Sequence, residues 1–369
     1  MKKTALLLCA SVPGLFSQLV FAEEYPNWEL GADLMVDINS YRGYVYPADE
    51  TTTDVRRAKL AVNGDVNAHI GFKVSASYET QEEFGLDDLY LSVKPGSNFL
   101  LVVGRFKEPG GMAKLQGLKT QGFRERSLAT DVFGFGRKPG VKLAYDGSGW
   151  NAEAAVQQAK EKDAGVGDGQ VLAARGSINP WRSEDKREFF HLGASYSARD
   201  SVKERFDINA PIAVASLGNL FHTPNYDADT VATSGVEMAF SARQLLFQTE
   251  FFQQNILEWD ADKYQHSGYY ASASWTLIGK ARQYRKGEIK AYKKSKPVLE
   301  VAARISEVDS RNRGDGDYAQ MATLSASYSF KRYYRVLLDY SYTTLERHKD
   351  YFVTDLDGDA FNLRLQLMY

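Results

Sequence analysis

Two stretches of the chain concentrate basic side chains. Residues 107–138 hold seven of them, Lys107, Lys114, Lys119, Arg124, Arg126, Arg137 and Lys138, against Glu108, Glu125 and Asp131. Residues 278–296, "IGKARQYRKGEIKAYKKSK", hold eight against Glu288 alone, whereas 200–231 is acidic. Clustered ammonium and guanidinium groups bind anions. The formal net charge over 369 residues is only −2, so any preference for anions must be local. The first stretch follows neither a helical nor a strand period, and about thirty irregular residues in a compact protein mark a functional loop or a misassigned element. A basic loop folded into a channel would concentrate anions at its narrowest point. The second stretch reads equally well as a solvated turn.

Other chemistries have little support. There is no HExxH and no GxSxG, and the five histidines, His69, His191, His222, His266 and His348, are scattered. "GFGRKPG" places Pro139 where a phosphate-cradling loop needs a third glycine, and no helix follows. "DLDGD", Asp355 to Asp359, has its glycine too early for a calcium loop and no glutamate at the twelfth place. No catalytic residue, metal or other cofactor is expected, and no nucleic acid partner. An outer-membrane enzyme is the alternative furthest from a channel.

What must position the basic residues is a set of strands. The start, "MKKTALLLCASVPGLFSQLVFAEE", has the layout of a secretory signal peptide over 1–22, with cleavage expected after Ala22 and a single mature domain over 23–369. The one cysteine, Cys9, falls inside that peptide, so disulfides and thiolate sites are not expected in the mature chain. No later apolar run is long enough for a membrane helix. The chain nevertheless carries 22 Tyr and 20 Phe, and it alternates. In "AFNLRLQLMY" Phe361, Leu363, Leu365, Leu367 and Tyr369 share one face, with Asn362, Arg364 and Gln366 on the other. Trp28, Leu30, Ala32, Leu34, Val36 and Ile38 likewise oppose Glu29, Asp33 and Asp37.

Alternation predicts strands at 28–45, 55–66, 69–79, 86–94, 99–107, 139–146, 149–157, 169–177, 189–198, 232–242, 244–255, 267–277, 296–306, 318–330, 333–345 and 359–369. The even count, and tight turns such as "DGSG" and "KR" alternating with longer connections, fit an all-β, 16-stranded antiparallel transmembrane barrel. A barrel of about that size leaves an aqueous channel. Its polar face would turn Arg57, Lys59, Lys73, Lys142, Arg175, Arg243, Arg304, Arg335 and Arg364 inward, with carboxylates such as Asp37, Glu79, Asp88, Glu153, Glu237, Glu250, Glu300 and Asp339. In "FLLVVGRFK" apolar residues occupy both faces, so the direction of Arg105 stays open.

At four places the chain resembles the phosphate-selective porins O and P. They are "DVRRAKLAVNGDV", "VGRFKEPGGMAKLQGLKTQGFRERS", "GFGRKPGVKLAYDG" and "SWTLIGKARQYRKGEIKAYKK" with the following "VLEVAARIS". The resemblance implies a trimeric channel in the outer membrane of a Gram-negative bacterium, among lipid and lipopolysaccharide, for inorganic phosphate or similar anions. It also implies an inward-folded third loop. Lys114 and Lys119 would be its binding lysines, with Arg124 and Arg126 as supports or further rungs. Arg56 and Arg57 would belong to an arginine ladder, with Lys59 and Arg304 along the same lumen. "GGM" replaces the bulkier, acidic stretch expected before the lysines, and the lumen is rich in carboxylates. A general or organic-anion porin is therefore the alternative within the channel class.

Overall fold

The computed structural model describes residues 25–44, 49–80, 83–134, 136–158, 169–200, 206–292, 296–330 and 333–369. The expected signal peptide and the "KR" turn at 331–332 lie outside these. The first half contributes β1 (Asn27–Gly43), β2 (Glu50–Asp65), β3 (Ile70–Glu79), β4 (Glu83–Val93), β5 (Phe99–Lys107), β6 (Arg137–Asp146), β7 (Trp150–Gln158), β8 (Gln170–Arg182) and β9 (Phe189–Asp200). A small hairpin, β10 (Asn209–Pro211) and β11 (Asn219–His222), precedes β12 (Ala228–Ala242), β13 (Leu245–Glu258) and β14 (Lys263–Ile278). A second, β15 (Tyr284–Arg285) and β16 (Glu288–Ile289), precedes β17 (Val298–Asp309), β18 (Gly316–Phe330) and β19 (Tyr334–Lys349). The short β20 (Phe352–Asp355) and then β21 (Gly358–Met368) end the chain.

Sixteen long strands among the described residues pair antiparallel with their neighbours, and β21 returns to β1 from Asp33↔Met368 to Gly43↔Gly358. The sheet therefore closes, which satisfies every strand edge in a solvent that offers no hydrogen bonds. The two faces explain the alternation. Leu60, Leu324, Phe361 and Leu365 are exposed on the outside, while Glu250, Gln254, Asp339, Asn362 and Arg364 are buried on the inside. Aromatic side chains cluster at the short-turn end, where Phe99 meets Tyr145 at 4.8 Å, Tyr145 meets Trp150 at 4.8 Å and Tyr333 stacks near Tyr369. Leu324→Arg, within the apolar band, is expected to cost about 2–4 kcal/mol of folding free energy. Urea titration of barrels folded into vesicles would measure it.

The structure departs from the alternating pattern in four informative places. Between Met35↔Arg57 and Asp37↔Asp54, β2 carries one residue more than β1. This bulge breaks the two-residue period, so that the adjacent Arg56 and Arg57 both reach Glu79. Arg243, expected on the polar face, occupies the two-residue turn between β12 and β13 and is exposed. Arg105 donates its Nε to the Leu86 carbonyl of β4 at 3.0 Å. The mouth of the barrel is not uniformly polar: Phe206, Ile208, Ile212, Val214, Leu220 and Phe221, from the middle of the stretch between β9 and β12, are buried together with Phe252, Ile256, Val308, Met321 and Leu345 of the wall. The acidic composition of 200–231 concealed this apolar segment.

Candidate functional site

Residues 108–136 join β5 to β6 and contain α1 (Met112–Leu115), a 3-10 turn at Leu118–Thr120, and α2 (Leu128–Phe133). The segment is short of regular structure because its backbone is satisfied by the polar face of the wall instead. Met112 N donates to Glu237 at 2.8 Å and Ala113 N to Glu250 at 2.7 Å, while Lys107 Nζ donates to the carbonyls of Lys114 and Leu115 at 2.7 and 2.8 Å. Carboxylates at the free N–H end of α1 and an ammonium at its carbonyl end fix a helix too short to stand alone. Further along, Arg124 N donates to Asp339 at 2.8 Å, Ser325 to the Gly122 carbonyl at 2.8 Å, and Arg335 to the Gln121 carbonyl at 2.6 Å. Ser127 caps α2 by accepting from Thr130 N at 3.1 Å, and α2 packs its Leu128, Val132 and Phe133 into the apolar mouth cluster. At the base of the segment Glu108 is buried between Lys138, at 3.3 Å, and Arg199, at 3.0 Å.

The tightest node is Glu125. Arg56 holds it with two bonds, Nε to Oε1 at 2.9 Å and Nη2 to Oε2 at 3.1 Å, and Arg364 bonds the same Oε1. Arg364 and Arg124 both reach Asp37, at 2.7 and 2.6 Å. Burial alone would raise the Glu125 carboxyl, yet Arg56, Arg364 and Arg124 hold it well below the usual carboxylate range. Arg126 turns away, toward the Gln116 carbonyl at 3.4 Å. The clamp on Glu125 thus comes chiefly from strands β2 and β21, rather than from both of its sequence neighbours.

The remaining expected residues fall in three settings. Arg57 and Lys59 share Asp87, and with Lys73, Arg137 and Lys142 they form a wall of basic groups on β2, β3 and β6, each beside Glu79, Asp87, Asp88 or Glu153. Lys59, Lys73, Arg137 and Lys142 keep 16% to 33% of their side chains exposed, whereas Arg175, Arg282 and Arg364, covered by connecting segments, keep 1% to 6%. Water therefore reaches the β2–β7 side of the interior. Lys119 is exposed and has no side-chain partner among the described residues. Lys114 is half-buried, lying against Gly134. Near it Asp131 is pushed up by burial, against the pull of Lys114 and Arg126. Arg304 stacks over Phe123 at 4.3 Å and donates to the Glu125 carbonyl at 3.0 Å.

A porin-family model described as "Phosphate-selective porin O and P" matches residues 29–369. The chain belongs to that family. This porin is 26% identical over 306 residues to a protein of Caulobacter vibrioides, and 23% identical over 300 residues to Porin O of Pseudomonas aeruginosa. Those matches cover 77% and 70% of the chain, and 60% and 66% of the relatives, so it spans about two thirds of their length or less. Among solved structures, OmpT of Vibrio cholerae gives a TM-score of 0.62 at 12% identity, covering 95% of this chain and 99% of that one. An anion-selective porin from Comamonas acidovorans gives 0.61 at 9% identity, covering 93% and 99%. Family and fold agree on a β-barrel of the porin type.

The porin also folds its second basic stretch against the polar wall, which the sequence left undecided. Lys286 and Gly287, both at positive φ, form a two-residue turn between β15 and β16 that suits a tight hairpin. Tyr284 stacks on Phe189 at 4.8 Å and bonds His191 at 2.7 Å. Arg175 donates to the Gly287 carbonyl at 2.9 Å, and Arg282 pairs with Glu300. The signal for this was the interleaving of Tyr284, Ile289 and Tyr292 among the basic residues, since a solvated turn needs no apolar anchors. Residues 293–295 of the stretch lie outside the described residues.

Proposed function

We propose that this barrel passes small anions by passive diffusion, inorganic phosphate or polyphosphate among them. Segment 108–136 acts as the constriction, with Lys114 and Lys119 facing the permeating ion and Arg126 supporting them. Lys59 is an open rung along the lumen, while Arg57 is buried beside it against Glu79 and Asp87. Arg56, Arg124 and Arg304 serve the path chiefly by fixing the loop. The observation that carries this reading is an asymmetry. The buried arginines around Glu125 are matched by carboxylates, while the exposed Lys119 ammonium is not. An unmatched cation at a water-lined narrowing raises local anion concentration, and several such groups replace hydration weakly enough for release.

The carboxylates beside every open rung support a second reading, a general or organic-anion porin. Asp87, Asp88 and Glu153 would blunt discrimination between anions while leaving passage intact. The trimeric assembly of OmpT, one of whose structures is of a trimer form, makes a homotrimer in outer-membrane lipid and lipopolysaccharide the reading for this chain too. An N-terminal leader removed after Ala22 fits export. In planar bilayers containing chloride, added phosphate on the order of millimolar should reduce single-channel current. Undiminished current would remove phosphate as a ligand and favour the general-anion reading.

A further inference from the structure

Segment 206–226, between β9 and β12, is closed at its base by a bridge in which Phe206 N donates to the Tyr226 carbonyl at 2.7 Å. From that base it crosses the mouth of the barrel. Its 3-10 turn, Ala215–Leu217, reaches β2, where the Ser216 and Thr52 hydroxyls bond at 3.2 Å. Gly218, at φ +86°, then turns the chain back into β11. Of the sixteen long strands β12 is the tenth and β2 the second, so base and tip stand on opposite sides of the ring.

The two sides of this crossing differ. On one, Ile212, Val214 and Phe221 are 0% exposed, in an apolar cluster with α2 and with side chains of β1, β8, β12, β13, β17, β18, β19 and β21. Strands β2 to β7 contribute none of its residues. The backbone of the segment is met on the same side: His222 N donates to Asp317 of β18 at 2.9 Å, Arg347 of β19 to the Leu220 carbonyl, and Arg124 to the Ala213 carbonyl. A layer packed to the density of a protein interior leaves no passage for a hydrated solute. On the other side stand Lys59, Lys73, Arg137 and Lys142, the basic groups that water reaches. Ser216, at the tip, is exposed.

We propose that segment 206–226 is an outer filter. It closes the β13–β21 side of the mouth and sends solutes in through the arc between itself and β3–β7, where it sets the largest size that enters from the loop end. This rests on the reading of the barrel as a channel and not on which anion it conducts, because a packed layer excludes by size whatever the charge.

Neutral polyethylene glycols of graded size, added to one side of a planar bilayer at a time, lower the current through a single channel only when they enter it. In the native channel the size limit for entry should be smaller from the loop end than from the turn end. Replacing residues 209–222 with a short Gly-Ser linker should raise the loop-end limit and leave the turn-end limit in place. Ser216→Trp, at an exposed position, should lower the loop-end limit alone, and gives the reading should the linker variant fail to fold. Equal limits from the two ends of the native channel, or a loop-end limit that neither variant moves, would overturn the filter and leave the channel reading standing. A native barrel that carries no current would overturn both.

Discussion

Replacing Lys114 and Lys119 together with glutamate is expected to invert the selectivity of the channel from anions to cations. Each exchange moves the local charge by two units. One unit at 4 Å is worth about 1 kcal/mol in bulk water and about 4 kcal/mol at an effective dielectric of 20. A constriction in water between low-dielectric walls lies between these limits, reduced by salt. A change in permeability ratio of at least about tenfold follows, since 1.4 kcal/mol is already a factor of ten. Lys119→Glu alone should give a smaller shift in the same direction with the fold intact, because that side chain is exposed and supports no contact. Reversal potentials in salt gradients measure both. Unchanged ratios in the double variant would mean that the segment is not the filter.

Glu125→Gln should be the most damaging single change in the loop. The substitution leaves Arg56, Arg124 and Arg364 packed together with Asp37 and Glu79 as their remaining carboxylates. Breaking a buried ion pair by removing one partner costs about 3–5 kcal/mol, because the cations stay buried. The loop should loosen, the open-channel current should become noisier, and the folded form should lose its electrophoretic mobility at a lower temperature. The pH dependence has a definite sign. Glu125 has a folded pKa held below its unfolded value of about 4.3, so its stabilisation is full above that value and fades as pH falls through the folded pKa. The native channel should therefore stay clamped at pH 5, where the variant is already loose at pH 7. Equal noise and equal melting of the two would contradict the clamp.

Alternation conveys the strands and leaves the loop unsorted. Wherever one face meets lipid and the other meets water, as in Phe361 to Tyr369, the two-residue period is forced and the strand is legible. It fades at the loop end, where both faces meet water. There β2 begins at Glu50 rather than 55, β14 at Lys263 rather than 267, and β19 runs to Lys349 rather than 345. Local insertions are invisible to it, and so the bulge that turns Arg56 inward emerged only from the register. Basic residues in the loop could be counted from sequence, but not sorted. Arg124 and Lys119 are five positions apart, yet one is 2% exposed against Asp37 and the other is open to water. What separates them is the set of partners brought from β1, β19 and β21, contacts that span 87 to 240 residues.

Whether the unmatched charge of the interior selects anions is read from the zero-current potential of the purified native channel. With potassium chloride tenfold more concentrated on one side of a planar bilayer, the expected potential has the sign that reports chloride as the more permeant ion. A potential of the opposite sign, set by potassium, would contradict anion selection.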